Sequence, residues 1–474
     1  MLNPTFDLIV IGSGPAGQKS AVQAAKLGKK VAIVEQHSTL GGGCVHAGTL
    51  PSKSFRESVY RFALGSGGKM AQETDGKKKK FEFPDMGRLL KRKDRVVECE
   101  CQVIADQMKR NNIKVFEGKA RFVSKNEVEV VGKKSSTVLS GKFIFVAVGA
   151  RPVAPKHLEV DGKLIVDSDT VLDLKKVPKT MVVLGAGIIG CEYASMFAMA
   201  GTKVFLVDRR NEILASVDRE IVKHLEERFT HEGMEIILGC EAQKVDKKKS
   251  GLQVHLSSKR MIEAEAVLVA LGRSGNTEGM ELKNAGVECD ERGLIKVDKH
   301  FRTKTENVYA IGDVVGAPAL ASTSMEQGRI ASCHAFNIIS GHPTGMPDLF
   351  PYGIYTIPEI SMLGLTEEAL KAQGANFVVG RAKYRELARG QIVGDQWGLL
   401  KILVDEKTFK LLGVHIIGDN AADLIHIGQA VMELGGDANF FIRSVFNYPT
   451  LAEAYKTAAL HAMNQIRGTI GRTA

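Results

Sequence analysis

No stretch of the 474-residue sequence approaches the roughly 18 consecutive apolar residues of a membrane span. The best candidate, Met181 to Cys191, is short and holds three glycines. The opening residues Met1-Leu-Asn-Pro-Thr5 lack a basic segment, and the apolar run Phe6 to Ile11 is short, so no secretory leader is expected. Cysteine is sparse. Seven residues (44, 99, 101, 191, 240, 289 and 333) are an odd number scattered over a long chain, which is no secreted disulfide framework. There is no Cys-x-x-Cys and no His-Glu-x-x-His, so no metal site is expected. A reducing cytoplasm is the expected compartment. With 13 prolines, low-complexity and collagen-like readings are excluded. Aromatic residues are 6% of the chain, and no nucleic-acid-binding motif accompanies the lysine runs at 77–80, 91–93 and 247–249. The formal charge of +10 is therefore read as a solvated surface, with no nucleic-acid partner.

What the chain does have is glycine: 49 residues, against an ordinary share of about 7%. Hydrophobic content of 44% and charged content of 25% are those of a globular protein, and the length suggests roughly three domains.

One design occurs twice. Asp7-Leu-Ile-Val-Ile-Gly-Ser-Gly-Pro-Ala-Gly17 reads as a buried strand entering a glycine turn. An alanine-rich helix over 18–27 and a second strand, Lys30 to Glu35, follow. Thr180-Met-Val-Val-Leu-Gly-Ala-Gly-Ile-Ile-Gly190 repeats this, with a helix over 191–200 and a strand from Lys203 to Asp208. Continuous apolar runs favour parallel strands buried on both faces. Glu35 and Asp208 each stand 23 residues after the first glycine of their motif. In such a fingerprint the first glycine (Gly12, Gly185) makes the tight turn. The second (Gly14, Gly187) admits a pyrophosphate, and the third (Gly17, Gly190) lets helix and strand pack closely. The helix N-terminus stabilises phosphate charge, and the acid binds a ribose. Arg209 and Arg210 follow Asp208. A carboxylate suits a 2′-hydroxyl and arginine a 2′-phosphate, so the second site is expected to accept NAD and NADP alike.

Other segments are plainer. Residues 65–80 read as a solvated loop, and 84–111 as an amphipathic helix with apolar positions at Met86, Leu89, Leu90, Val97, Val103, Ile104 and Met108. Two strands end in glycine, Phe143 to Gly149 and Ala266 to Gly272, and both glycines are candidate cofactor contacts. A third, Asn307 to Asp313, ends in Gly-Asp. Beyond about 346 the chain is a separate mixed region.

Together these motifs resemble the two-dinucleotide-binding flavoprotein disulfide reductase family that includes lipoamide dehydrogenase and glutathione reductase. The resemblance covers nearly the whole chain. It implies an α/β protein with two Rossmann-like dinucleotide-binding domains plus a C-terminal α+β dimerisation domain. The FAD-binding domain would be discontinuous, 1–150 and 273–345, with NAD(P) at 151–272 and subunit pairing into a homodimer or higher oligomer at 346–474. Carried over, Asp313 would hold the FAD ribityl chain and Lys53 would sit near the flavin N5. Glu192 would contact Lys53 and the nicotinamide, and Gly41, Gly42, Gly43 and Cys44 would form the flavin-facing loop.

Two departures from the family pattern decide the chemistry. In Gly41-Gly-Gly-Cys44-Val-His-Ala-Gly-Thr49, threonine stands where the second redox cysteine would be. In Phe446-Asn-Tyr448-Pro-Thr-Leu-Ala-Glu453, tyrosine replaces the family's histidine, while Glu453 remains. Threonine cannot close a disulfide, and a tyrosine hydroxyl, with an ordinary pKa of about 10, is a poor base for a thiol. The flavin and the nicotinamide site remain. With these, the resemblance implies hydride transfer from NADPH to NAD+ through FAD by a ping-pong mechanism, with Lys53 and Glu192 as catalytic residues. Cys44 reads as a packing residue. Cys99 and Cys101, one residue apart on a helix, point to different faces. Alternatives are a quinone or dye reductase, a thiol-disulfide reductase using Cys44 alone, and a non-catalytic NAD(P)H-sensing scaffold.

Overall fold

The computed structural model describes residues 3–65, 83–249, 251–338, 345–466 and 468. The loop at 65–80, with its lysine run, lies apart from Gly65 outside the described residues. Strands Lys114–Glu117, Val31–Glu35, Thr5–Ile11 and Ser136–Val146 lie parallel in that order. The far edge of Ser136–Val146 is shared. Its first half pairs antiparallel with Glu127–Val131, and its last residues pair parallel with Val308–Ala310. The Gly-Asp segment thereby returns to the first sheet after the chain has built the second.

The second sheet runs Glu235–Leu238, Lys203–Asp208, Thr180–Leu184, Ala266–Val269 and Ile165–Asp167, all parallel. Each glycine motif thus follows a central strand flanked by its own second strand and by the strand that precedes Gly149 or Gly272. Both faces of these strands are covered: Val31–Glu35 is buried at every position. A short antiparallel pair, Ala150–Pro152 with Arg273–Gly275, links the two units where the chain passes out and back.

Helix composition follows burial. Pro15–Lys26 begins with proline at its first turn, where no amide hydrogen is needed. Its small residues admit helix Ala321–Ala335 so closely that a side chain on Gly328 would meet the Ala16 carbonyl at 2.4 Å. Ile188–Met199 is buried on every face from Gly190 onward. The amphipathic helix expected over 84–111 spans Met86–Arg110, with the Asp85 carboxylate accepting the Arg88 amide at 2.7 Å. Val103, expected on its apolar face, is 54% exposed, because Met86, Leu89, Ile104 and Met108 already fill the contact. Cys99 is exposed while Cys101 turns inward.

The C-terminal region is a five-stranded antiparallel sheet, Tyr352–Ile354, Ile360–Gly364, Leu411–Ile417, Leu399–Asp405 and Phe377–Lys383. Helix Glu453–Ile466 covers it, with Tyr455 stacked on Phe441 at 4.8 Å. Charge fastens this region to the second nucleotide unit. Lys401, fully buried, lies 2.9 Å from Asp218, 3.0 Å from Glu220 and 2.6 Å from Glu367. Arg381 adds a bond to Glu220 at 2.6 Å. A buried charge is tolerated when so paired, and breaking the set strands its partners.

Lys401→Met is expected to lower unfolding stability by about 3–5 kcal/mol, because the Asp218 carboxylate stays fully buried without its cation; thermal and denaturant unfolding measure this, and an unchanged midpoint would remove the junction's importance. Acid weakens the same place. His415 is buried beside Asp218 and Lys401, and burial holds its pKa below the ordinary value despite the Asp218 charge. The unfolded chain therefore takes up a proton that the folded one resists, so stability is full above about pH 6.5 and declines below it. His415→Gln should flatten the fall in melting temperature between about pH 7.5 and 5.5.

Candidate active site

The two glycine turns carry the same internal bonds. Glu35 Oε2 accepts the Ser13 amide at 3.1 Å, and Oε1 accepts the His37 amide at 3.0 Å. Asp208 Oδ2 accepts the Ala186 amide at 2.6 Å, and Oδ1 the Arg210 amide at 2.8 Å. In both units the acid pins the residue after the first glycine and the residue two places beyond itself. Gly12 and Gly185 have φ of 102° and 107°, and a side chain on either would meet a carbonyl at 2.4 Å. One on Gly17 or Gly190 would meet the carbonyl of Gly12 or Gly185 at 2.0 and 1.8 Å. The middle glycines differ. A side chain on Gly14 would meet nothing within 4 Å, and one on Gly187 only the Arg210 guanidinium, at 3.9 Å. Both cap helices with no side-chain hydrogen bond, leaving amides free for an anion. Space over uncapped helix starts fits the pyrophosphate of a dinucleotide.

One cavity of ≈ 1730 Å³ runs between the units. Of the residues singled out in the sequence, Gly12, Gly14, Glu35, Gly42, Gly43 and Cys44 line its first part. Lys53, Gly149, Gly187, Glu192, Gly272 and Asp313 line the remainder. Gly17, Gly41, Gly185 and Gly190 lie off the cavity, where they serve backbone conformation and packing. Asp208, Arg209 and Arg210 also lie off it, at the far edge of the second turn.

At the centre, Lys53 Nζ is 2.8 Å from Glu192 Oε2, joining helix Thr49–Leu64 to helix Ile188–Met199. Glu192 is buried, and its Oε1 accepts the Tyr355 amide at 2.8 Å. Burial raises the Cys44 thiol pKa, against a hydrogen bond from Thr49 and the Lys53 charge. Burial also raises the Asp313 carboxyl, with Arg273 opposing it. For Asp208 burial acts upward too, but the hydrogen bonds of Arg210 and the Ala186 amide bring it below the ordinary range. Arg210 grips Asp208 with two side-chain bonds, at 3.1 and 2.9 Å.

Several contributors escape sequence reasoning. Ser13 Oγ donates to Glu35 at 2.6 Å and accepts the Gly41 amide at 2.9 Å, fastening the turn to the glycine loop. Gln327 holds the Gly312 amide at 2.7 Å, and Tyr355 reaches the site from the C-terminal sheet. Ser13 sits inside the fingerprint and could have been flagged there; nothing local marks the other two. Tyr448 is 74% exposed and does not line the cavity. Among the described residues no helix is long and apolar enough to cross a membrane, and no group of three or more His, Cys, Asp or Glu could hold a metal ion.

Two dinucleotide turns facing one cavity, with a lysine and a glutamate meeting between them, define a two-nucleotide oxidoreductase. The chain belongs to the pyridine nucleotide-disulphide oxidoreductase family, which it matches over residues 6–328, and matches that family's dimerisation domain over 350–459. It is 46% identical over 465 residues to the soluble pyridine nucleotide transhydrogenase of Mycobacterium bovis, covering 98% of both chains. The protein of that name from Photorhabdus laumondii is 40% identical, covering 97% of this chain and 99% of its own. Among solved structures, the HOCl-induced flavoprotein disulfide reductase RclA of Escherichia coli superposes with a TM-score of 0.86 at 27% identity, over 96% of this chain and 99% of that one.

The glycine geometry separates two roles. Gly190→Ala should destabilise the protein by about 1–3 kcal/mol through its clash with Gly185, whereas Gly187→Ala should leave stability nearly unchanged. Equal losses of melting temperature in the two variants would contradict this division.

Proposed function

We propose that the protein is an FAD-dependent enzyme that transfers hydride between NADPH and NAD+. The observation that carries this is a two-nucleotide cavity lined by Cys44 and by Thr49, which stands where a second thiol would. FAD, when bound, supplies the hydride acceptor and donor. The Gly12–Gly17 turn, Glu35 and the Gly41–Gly43 loop hold it, with Asp313 for its ribityl chain. Lys53 presents a positive charge to the flavin edge, where it favours added negative charge. Glu192 orients that lysine and borders the nicotinamide. NADPH and NAD+ take turns at the second turn, which gives ping-pong kinetics. The units divide as 1–150 with 273–345, 151–272 and 346–474, the last pairing two copies of the chain. The cytoplasm is its compartment.

The relatives' transhydrogenase name and the family's nucleotide folds support this reading. The test is anaerobic: NADPH should bleach the flavin absorbance and NAD+ should restore it, with parallel double-reciprocal lines. Bleaching reversed by a quinone but never by NAD+ would defeat the proposal.

The Asp208–Arg210 pair supplies tolerance for both nucleotides. With NAD the carboxylate meets the ribose hydroxyls; with NADP the guanidinium can turn to the 2′-phosphate while two amides still hold Asp208. Arg210→Gln should raise KM for NADPH about tenfold, near 1.4 kcal/mol, and change that for NADH far less. Equal shifts for both nucleotides would exclude Arg210 as the discriminator.

A further inference from the structure

Three consecutive residues of the C-terminal region bridge the two helices that carry Lys53 and Glu192. The Tyr355 amide donates to Glu192 Oε1 at 2.8 Å. Arg56 Nε donates to the Thr356 carbonyl at 2.9 Å, and the Ile357 amide donates to Ser195 Oγ at 3.1 Å. Arg56 lies three residues after Lys53, and Ser195 three residues after Glu192, so each tie lies on the same helix face as the charged residue it follows. Thr356 and Ile357 are buried, and Glu359 holds the Arg56 guanidinium at 3.4 Å. The segment is therefore anchored to both nucleotide-binding units at once.

Tyr355 is the side chain through which this bridge touches the charge pair. Lys53 Nζ lies 4.9 Å from its ring centroid, and Tyr355 lines the cavity. An ammonium over an aromatic face is attracted by the ring's negative π surface, most strongly where water is scarce. Lys53 is thus held by two unlike partners, the carboxylate of Glu192 and the face of Tyr355. The amide of Tyr355 takes the other oxygen of Glu192, leaving Oε2 to the lysine.

We infer that Tyr355 is a positioning residue for hydride transfer: it fixes the Lys53 ammonium against the flavin side of the cavity by its ring and fixes Glu192 by its amide. The ring holds the charge without neutralising it, as a second carboxylate would. This rests on the assignment of Lys53 given under Proposed function.

The test uses the FAD-loaded protein and two readouts, the two-electron midpoint potential of the flavin and the stopped-flow rate of its reduction by NADPH. Tyr355→Phe keeps the π face and should match the parent in both. Tyr355→Leu and Tyr355→Gln remove it by different shapes, so one poorly folded variant does not end the test. Both should move the potential negative, in the direction of Lys53→Met but by less. Reduction should slow about fivefold, with NADPH binding nearly unchanged. If Lys53→Met shifts the potential while both ring-deleting variants keep the parental value, the role of Tyr355 is overturned and that of Lys53 stands. If Lys53→Met itself leaves the potential unchanged, the flavin-facing assignment of Lys53 fails, and the inference about Tyr355 fails with it.

Discussion

The contact between Lys53 and Glu192 joins residues 139 positions apart at 2.8 Å, and the arrangement of the units turns on it. A carboxylate as buried as that of Glu192 is costly unless every lone pair is answered. Lys53 answers one oxygen and the Tyr355 amide the other. That requirement brings helix Thr49–Leu64 of the first unit against helix Ile188–Met199 of the second, with Phe55 and Phe197 packed between them at 5.6 Å. The C-terminal region must in turn present a backbone amide at that spot. The Lys401 cluster, at another face of the second unit, ties it to the same C-terminal sheet. Two polar junctions thus restrain one unit against another, and the cavity keeps its shape between them.

The two glycine turns share a skeleton and differ in what surrounds it. Glu35 and Asp208 use the same pair of amides, so each acid first stiffens its own turn. In the first unit Ser13 saturates the acid further and locks the turn to the Gly41 loop. That suits a ligand that stays. In the second unit the extra partner is Arg210, an exposed side chain. That suits ligands that come and go and differ by one phosphate.

Much of the fold was legible because its strands are continuous apolar runs and its turns need glycine for steric reasons that leave no substitute. The return of Val308–Ala310 to the first sheet has no local signal; only the resemblance suggested it. Within the site, Lys53 and Glu192 were legible through motif context. Tyr355 and Gln327 were not, because their contribution comes from a backbone amide or a distant helix rather than from a residue pattern. The exposed Val103 shows the limit of periodicity: a helix of 25 residues can satisfy its neighbours with fewer apolar positions than it carries.

The threonine at 49 has consequences beyond the missing disulfide. A thiolate beside a flavin needs positive charge or hydrogen bonds sufficient to overcome burial. Here burial dominates at Cys44, and the Thr49 hydroxyl and the Lys53 ammonium do not bring its pKa down to the ordinary value. Lys53 is already committed to Glu192 and to the Tyr355 face, so its charge is directed elsewhere. A protonated thiol is a weak nucleophile and offers electrons no onward path. The proposed nicotinamide site is the way in for electrons, and among the described residues every cysteine is free, so none forms a disulfide as a way out. Under the proposed function, electrons that enter at the second turn leave by the same turn, to another nicotinamide. A nucleotide site that must serve as both entrance and exit gains from an acid and an arginine that can each release the other, which is the arrangement found at Asp208 and Arg210.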